Sequence, residues 1–309
     1  MRRVFFSVTI DTEPDSTVRW GRRYPLSFES VVDGIPRFLR PIFDRHGIKP
    51  VYFISPAVAE DKACLKVIEK ELKKGSEAGN HLHPDEFPEN GAAPGPGKRF
   101  ACSDISDGEE LFLIRRNHDA IAGHLGVKPV SYRAGRFGAD IKTIASLEKA
   151  GYLVDSSVTP GIDWSGRGGP DFRGFPRHPY FVDVEGGDFG NEKGSSPVLE
   201  VPVTVGGKRF PLLPEKWYFR RWLRPSFMTT FEMKRIVDEA AGDYSTEDAA
   251  LCMMFHAMEV IPGASPYVRS AAGQKMFLNR LESVCRHARE RGYLPATLEE
   301  IYASRRAKL

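Results

Sequence analysis

The sequence predicts an α/β protein built as a single distorted or incomplete (β/α) barrel, with seven or eight parallel strands and two long loop insertions. Three observations lead there. Short β-branched and aromatic runs alternate with longer segments of helical period, the pattern of parallel strands joined by helical crossovers. The polar residues able to do chemistry fall at the C-terminal ends of those runs, namely Asp11, Glu13, His81, His83, Arg133, Asp155 and His256. In a β/α barrel all such ends open onto one face. At 309 residues the chain can bury a large core, and no internal repeat divides it. Residues 1–309 are therefore read as one domain, with insertions at about 86–110 and 159–230.

The elements follow in order. The run at 4–10 (VFFSVTI) is rich in β-formers and stops at Asp11-Thr12-Glu13. Further strands are read at 50–54, 77–82, 130–133, 152–155, 198–205 and 251–255, and the clearest crossover helix at 57–74. Two stretches break the rhythm. The segment 86–97 (EFPENGAAPGPG) is dense in Pro and Gly, and 159–194 carries many Gly with Pro and aromatic residues. Loops this long in a compact domain serve function or stay disordered, and both are read as walls of a substrate groove.

Composition excludes several classes of partner. A net charge of +3 gives no reason to propose nucleic acid. No apolar stretch reaches the length of a signal peptide or membrane span, so a cytoplasmic location is expected. Cys64, Cys102, Cys252 and Cys285 lie far apart with no paired spacing, which suggests free thiols rather than a disulfide frame or a thiolate metal site. His46, His118, His124 and His287 sit among charged neighbours and are read as surface residues, whereas His178 lies in the second long loop.

Asp11 and Glu13 stand two apart, so on a strand both carboxylates point to one face, close enough to share a metal or to divide its work into ligand and base. Alone, this pair is an ordinary polar strand end. His81 and His83, with Asp85 four beyond His81, add two imidazoles and a carboxylate within five positions. Together the segments are the makings of a divalent metal site with a spare carboxylate beside it.

In these motifs the chain resembles the polysaccharide deacetylases of the NodB-homology type, metal-dependent carbohydrate esterases that remove acetyl groups from sugars. TIDTEPD is similar to the family's first motif, which implies Asp11 as base and Glu13 as metal ligand. EAGNHLHPD is similar to the second, which implies His81 as ligand and a third ligand that is Asp85 by position or His83 by softness toward zinc. SYRAGRFG resembles the arginine-containing third motif, implying Arg133, with Arg136 a weaker candidate, as the group that orients the base. GYLVDSSVTPGIDW suggests Asp163 and Trp164 for the fourth motif, with Asp155 a rival acidic partner for the catalytic histidine. LCMMFHAMEV resembles the last motif and implies His256 as general acid, while GYLPATLEEI resembles the closing strand and helix. The motifs occur in the family's order from about residue 4 to 260.

The resemblance implies a divalent metal cofactor, zinc foremost, and an acetylated sugar or polysaccharide intermediate as substrate, with Trp164, Arg136 and Phe137 at the substrate. Two rival functions are a metal-independent glycoside hydrolase, with Asp11 and Asp155 or Asp163 flanking a glycosidic bond, and a non-catalytic sugar-binding barrel. One segment remains. Residues 216–233 (KWYFRRWLRPSFMTTFEM) interleave arginines with aromatics before a helix starting near Thr229 or Thr230, a pattern that more often covers a barrel or forms a subunit contact and that is also compatible with a membrane interface or a lipid-linked substrate.

Overall fold

Along β1 (Val4–Thr12) successive side chains alternate between two faces. Phe6, Val8 and Ile10 enter a core shared with the helices, whereas Phe5 joins a separate apolar cluster with Val51, Phe53, Val154, Leu199 and Cys252 inside the curled sheet. Thr9 and Asp11 follow Phe5 on that inner face. The computed structural model describes residues 2–87, 102–191, 194, 196–206, 221–243 and 248–308.

The other strands are β2 (Val51–Ile54), β3 (Glu77–Leu82), β4 (Ser131–Ala134), β5 (Val154–Asp155), β6 (Tyr180–Phe181), β7 (Leu199–Glu200), β8 (Ala249–His256) and β9 (Leu294–Pro295). They form one sheet in the order β6-β7-β5-β4-β3-β2-β1-β8, with β9 also on β1, and every pairing is parallel except β6 with β7. The sheet curls into a half-barrel. Beyond β7 the chain crosses toward β8, where Thr204 N donates to the Cys252 carbonyl at 2.9 Å and Thr204 Oγ1 accepts from Cys252 N at 2.8 Å. The predicted strand at 198–205 is therefore a two-residue strand followed by an extended bridge. Its residues must leave β5 to reach β8, which ends the regular pairing.

The described α-helices are α1 (Arg40–His46), α2 (Pro56–Ala59), α3 (Lys62–Leu72), α4 (Asp107–Leu125), α5 (Ile141–Ala150), α6 (Thr230–Gly242), α7 (Ala271–Glu290) and α8 (Leu298–Arg306), with a π-helical segment (Ser30–Leu39) running into α1 and short 3-10 turns between elements. Leu298 and Ile301 of α8 close the inner apolar cluster from below. The helix expected over 57–74 is two helices. Asp61 caps α3 by accepting from Cys64 N at 2.8 Å, and an N-cap needs non-helical backbone, so the chain breaks there. Thr229 caps α6 as expected.

Asp107 begins α4 behind a Ser106 cap, while residues 88–101 of the first expected insertion lie outside the described residues. All four cysteines are free and buried. His46 is buried, contrary to the surface reading, because its face of α1 packs on α7, where its Nε2 lies 3.7 Å from Glu282. No helix among the described residues is long and apolar enough to cross a membrane.

Candidate metal centre and active site

Strand register assembles the site. Asp11 of β1 pairs with His256 of β8, and His81 of β3 with Arg133 of β4. His81 Nδ1 lies 2.9 Å from the Arg133 carbonyl oxygen. A carbonyl only accepts, so Nδ1 carries hydrogen and Nε2 is left as a lone-pair donor. That Nε2 is 3.0 Å from Glu13 Oε1 and 3.1 Å from His83 Nε2, and His83 Nε2 is 3.3 Å from the same Glu13 oxygen. Three Lewis-basic atoms this close repel one another unless a proton or a cation stands among them.

The electrostatics agree. Burial alone would lower the His83 imidazole, but the Glu13 and Asp85 carboxylates overcome it and push it up to about 10. Burial would raise Glu13, yet the His83 and His256 imidazoles hold it well below the usual carboxylate range. For tetrahedral or octahedral coordination a donor triangle of these edges implies donor–cation distances of about 1.9–2.3 Å, which covers the range of about 2.0–2.2 Å for zinc on imidazole and carboxylate. Glu13, His81 and His83 therefore form a group able to hold a metal. Gly135 makes room for it: a Cβ there would meet the Leu82 carbonyl oxygen at 2.7 Å and the His83 ring at 2.8 Å.

Asp85 is turned elsewhere. Its carboxylate accepts from Arg136 Nη1 at 3.0 Å and Nη2 at 2.8 Å, lies 3.5 Å from Arg22 and is 3.8 Å from His83 Nδ1. Of the two third-ligand candidates only His83 joins the triangle. Arg136 is the partner of Asp85, and it is Arg133 that reaches Asp11.

Arg133 is fully buried in the barrel, its guanidinium 4.3 Å from the Phe53 ring centroid. It donates from Nη1 to Asp11 Oδ1 at 2.7 Å, from Nη2 to Thr9 Oγ1 and Ser156 Oγ at 2.9 Å each, and from Nε to the Ser156 carbonyl at 2.8 Å. Burial would raise the Asp11 carboxyl; Arg133, His81 and His256 more than offset this and hold it low. Oδ2 is left facing the site, 3.8 Å from His256 Nε2, which is itself 3.6 Å from Glu13 Oε1.

The carboxylate beside His256 is Glu259, which the sequence reading missed. His256 Nδ1 is 3.0 Å from Glu259 Oε1, and the His256 backbone N–H donates to that oxygen at 2.9 Å. Buried Arg224 and half-buried Ser226 also donate to Glu259, and Arg224 Nη2 comes within 2.8 Å of His256 Nδ1. Burial would raise Glu259, but Arg224 foremost brings it down to about 2. The signal was present: Glu259 stands three positions after a strand-ending His256, the spacing of a capping box, and the structure has that box.

Neither acid expected beside His256 is its bonded partner. Asp155 is buried, accepts from Ser157 Oγ at 2.6 Å and lies in register with Glu200 on β7, and burial raises both carboxyls. Asp163 caps the Ser165 N–H on the surface beside Arg173. Trp164 stacks on Phe137 at 5.8 Å and donates from its indole to Thr159. Within the expected 216–233 patch, residues 216–220 lie outside the described residues, and Arg221 and Arg224 are buried against Glu232, Glu239 and Glu259 rather than displayed.

No family model matches the chain, and no curated protein matches it by sequence. Solved structures do match in shape. A protein assigned as a polysaccharide deacetylase in Pseudomonas aeruginosa PAO1 aligns over 98% of this chain and 90% of its own, with TM-score 0.59 and 15% identity. A second, from Mycobacterium smegmatis, aligns over 96% and 94% with TM-score 0.51 and 17% identity. The fold is the polysaccharide-deacetylase barrel. The PuuE allantoinase shares this deacetylase fold, with TM-score 0.60 and 14% identity over 98% of this chain and 90% of its own. At such identities the likeness carries the fold alone.

Proposed function

We propose that this protein is a metal-dependent hydrolase that removes an N- or O-acetyl group from a sugar or polysaccharide intermediate. The observation that carries the reading is the donor triangle of Glu13, His81 and His83, flanked by an arginine-held carboxylate and by a histidine whose Nε2 faces the same space. A divalent cation held there, zinc by donor type, supplies Lewis-acid polarisation of the acyl oxygen and acidifies water.

The chain's own groups supply the rest. Arg133 fixes Oδ1 of Asp11 and keeps the carboxylate ionised, so Oδ2 is free to take a proton from attacking water. His256, aimed by Glu259 through Nδ1, gives a proton from Nε2 to the departing amine or alkoxide. His81, tied to the Arg133 carbonyl, keeps one tautomer throughout. Base and acid thus approach the scissile carbonyl from different strands, β1 and β8.

The test is acetate release from acetylated chito-oligosaccharides and acetylxylan, with and without a chelator. Release that stops on chelation and returns with zinc supports the reading, whereas release indifferent to chelation points to metal-independent hydrolysis. The shared fold with an allantoinase supports a second reading, hydrolysis of a small non-sugar amide at the same site. Turnover of allantoin with none of the acetylated sugars would favour it.

A further inference from the structure

Six aromatic rings run in a continuous arc from the β4 and β5 loops to the catalytic histidine. Trp164 stacks on Phe137, Phe137 meets Trp222, Trp222 meets Phe227, Phe227 meets Tyr267, and Tyr267 meets Trp20, with centroids 4.8–6.2 Å apart. The arc ends on His256, whose ring centre is 5.3 Å from that of Trp20 at an interplanar angle of 63°. Trp222 is buried, but Trp20 leaves 37% of its surface in water.

Trp20 is also held in a costly place. Its φ is +60°, a left-handed conformation that non-glycine residues seldom adopt. The turn that carries it is closed by Thr17 N to the Gly21 carbonyl at 2.9 Å, Trp20 N to the Thr17 carbonyl at 3.1 Å and Gly21 N to Thr17 Oγ1 at 2.9 Å. Both sides of the mouth then hold the turn. Arg22 donates to the Asp85 carbonyl at 3.2 Å and Arg23 to the Gly263 carbonyl at 2.6 Å. Its indole meets the Tyr267 ring edge-on, with centroids 5.3 Å apart at 79°, so the residue is packed from one side and offers aromatic surface to the cleft. Core burial does not explain a large ring fixed in a strained turn and left one-third open beside the general acid.

We propose that Trp20 is the wall against which the leaving group packs, its indole taking the apolar C–H face of the sugar that carries the departing amine or hydroxyl. This rests on the deacetylase reading above. The atom that accepts the proton must come within hydrogen-bond reach of His256 Nε2. With the indole lying against that imidazole, the next atoms of the same fragment come against the indole. A pyranose ring offers axial C–H groups on one face, a match for an aromatic surface that a small alcohol does not provide. Trp20 therefore selects for the leaving group and is indifferent to the acyl group.

The experiment compares the full-length zinc enzyme with Trp20→Ala and Trp20→Phe on two acetyl donors, a chito-oligosaccharide and ethyl acetate. The expected result for Trp20→Ala is a fall of about tenfold or more in the ratio of kcat/KM for the sugar to kcat/KM for the ester, carried mainly by KM, with Trp20→Phe recovering most of the ratio. Zinc content and thermal melting check that each variant is folded and loaded. A second readout needs no turnover: in Asp11→Asn the oligosaccharide quenches indole emission, and adding Trp20→Phe removes most of the quench. A ratio unchanged in Trp20→Ala, in an enzyme that does deacetylate the sugar, overturns the proposal and leaves the deacetylase reading intact. A wild-type enzyme that releases no acetate from any sugar overturns both.

Discussion

At the residue scale the site divides its polar atoms between those that touch the cation space and those that aim their neighbours. With Asp11 as the proposed base, Asp11→Asn should lower kcat by at least about a thousandfold while elemental analysis finds zinc near the wild-type level. Loss of zinc in that variant would exchange the roles of Asp11 and Glu13. His83→Ala should lose zinc, and Asp85→Asn should keep it, because the Asp85 carboxylate is committed to Arg136 and Arg22; the reverse outcome would make Asp85 the third ligand. Glu259→Gln should reduce kcat by about ten- to a hundredfold with little change in KM, since it aims His256 without touching substrate. Asp163→Asn, on the surface beside Arg173, should stay within about twofold of wild type.

At the scale of elements, the α4–α5 junction carries a pH-dependent contribution to stability. Glu110 of α4 is buried beneath α5, where it accepts from Thr143 Oγ1 at 2.8 Å, and burial pushes its carboxyl up to about 8. With the folded value above the unfolded one, the native state binds the extra proton. The stability this supplies is complete below about pH 4.5 and is lost as pH rises toward 8. Glu110→Gln keeps the acceptor for Thr143 and removes the titration, so it should raise the melting temperature at pH 9, by a few degrees for about 2 kcal/mol, and have little effect at pH 5. Equal melting shifts at both pH values would contradict this.

The elements also divide what sequence could reveal from what it could not. Strand ends marked by Asp11, His81, Arg133 and His256 were legible because short runs of strand length, β-branched or apolar in β1 and β8, end at polar residues. The break between α2 and α3 was hidden because Asp61 acts through a local cap inside an otherwise helical pattern. Glu259 was legible in principle, since its carboxylate reaches back across one turn to His256 at the spacing of a capping box. The place of Arg224 was not legible because an arginine among aromatics has the same composition whether exposed or buried; only the fold brings Glu259 to it. The geometry that favours His83 over Asp85 as the proposed ligand comes from Arg136 and Arg22, two side chains from other loops that engage Asp85.

For the whole molecule, the curled sheet brings chain positions 11, 13, 81, 83, 133 and 256 to one mouth, and the bridge from β7 to β8 closes it behind Arg133. A cation at the mouth would bind only the folded state. Zinc at a hundred times its Kd should therefore stabilise the protein by about 2.7 kcal/mol, and the stabilisation should vanish in His81→Ala.

The most direct test of the central claim is anomalous diffraction at the zinc edge from crystals of the zinc-loaded protein. The account requires one strong peak at about 2.0–2.3 Å from Glu13 Oε1, His81 Nε2 and His83 Nε2, with Asp11 Oδ1 still on Arg133 and His256 Nδ1 still on Glu259. A peak bound by Asp85, or no peak among Glu13, His81 and His83, would contradict it.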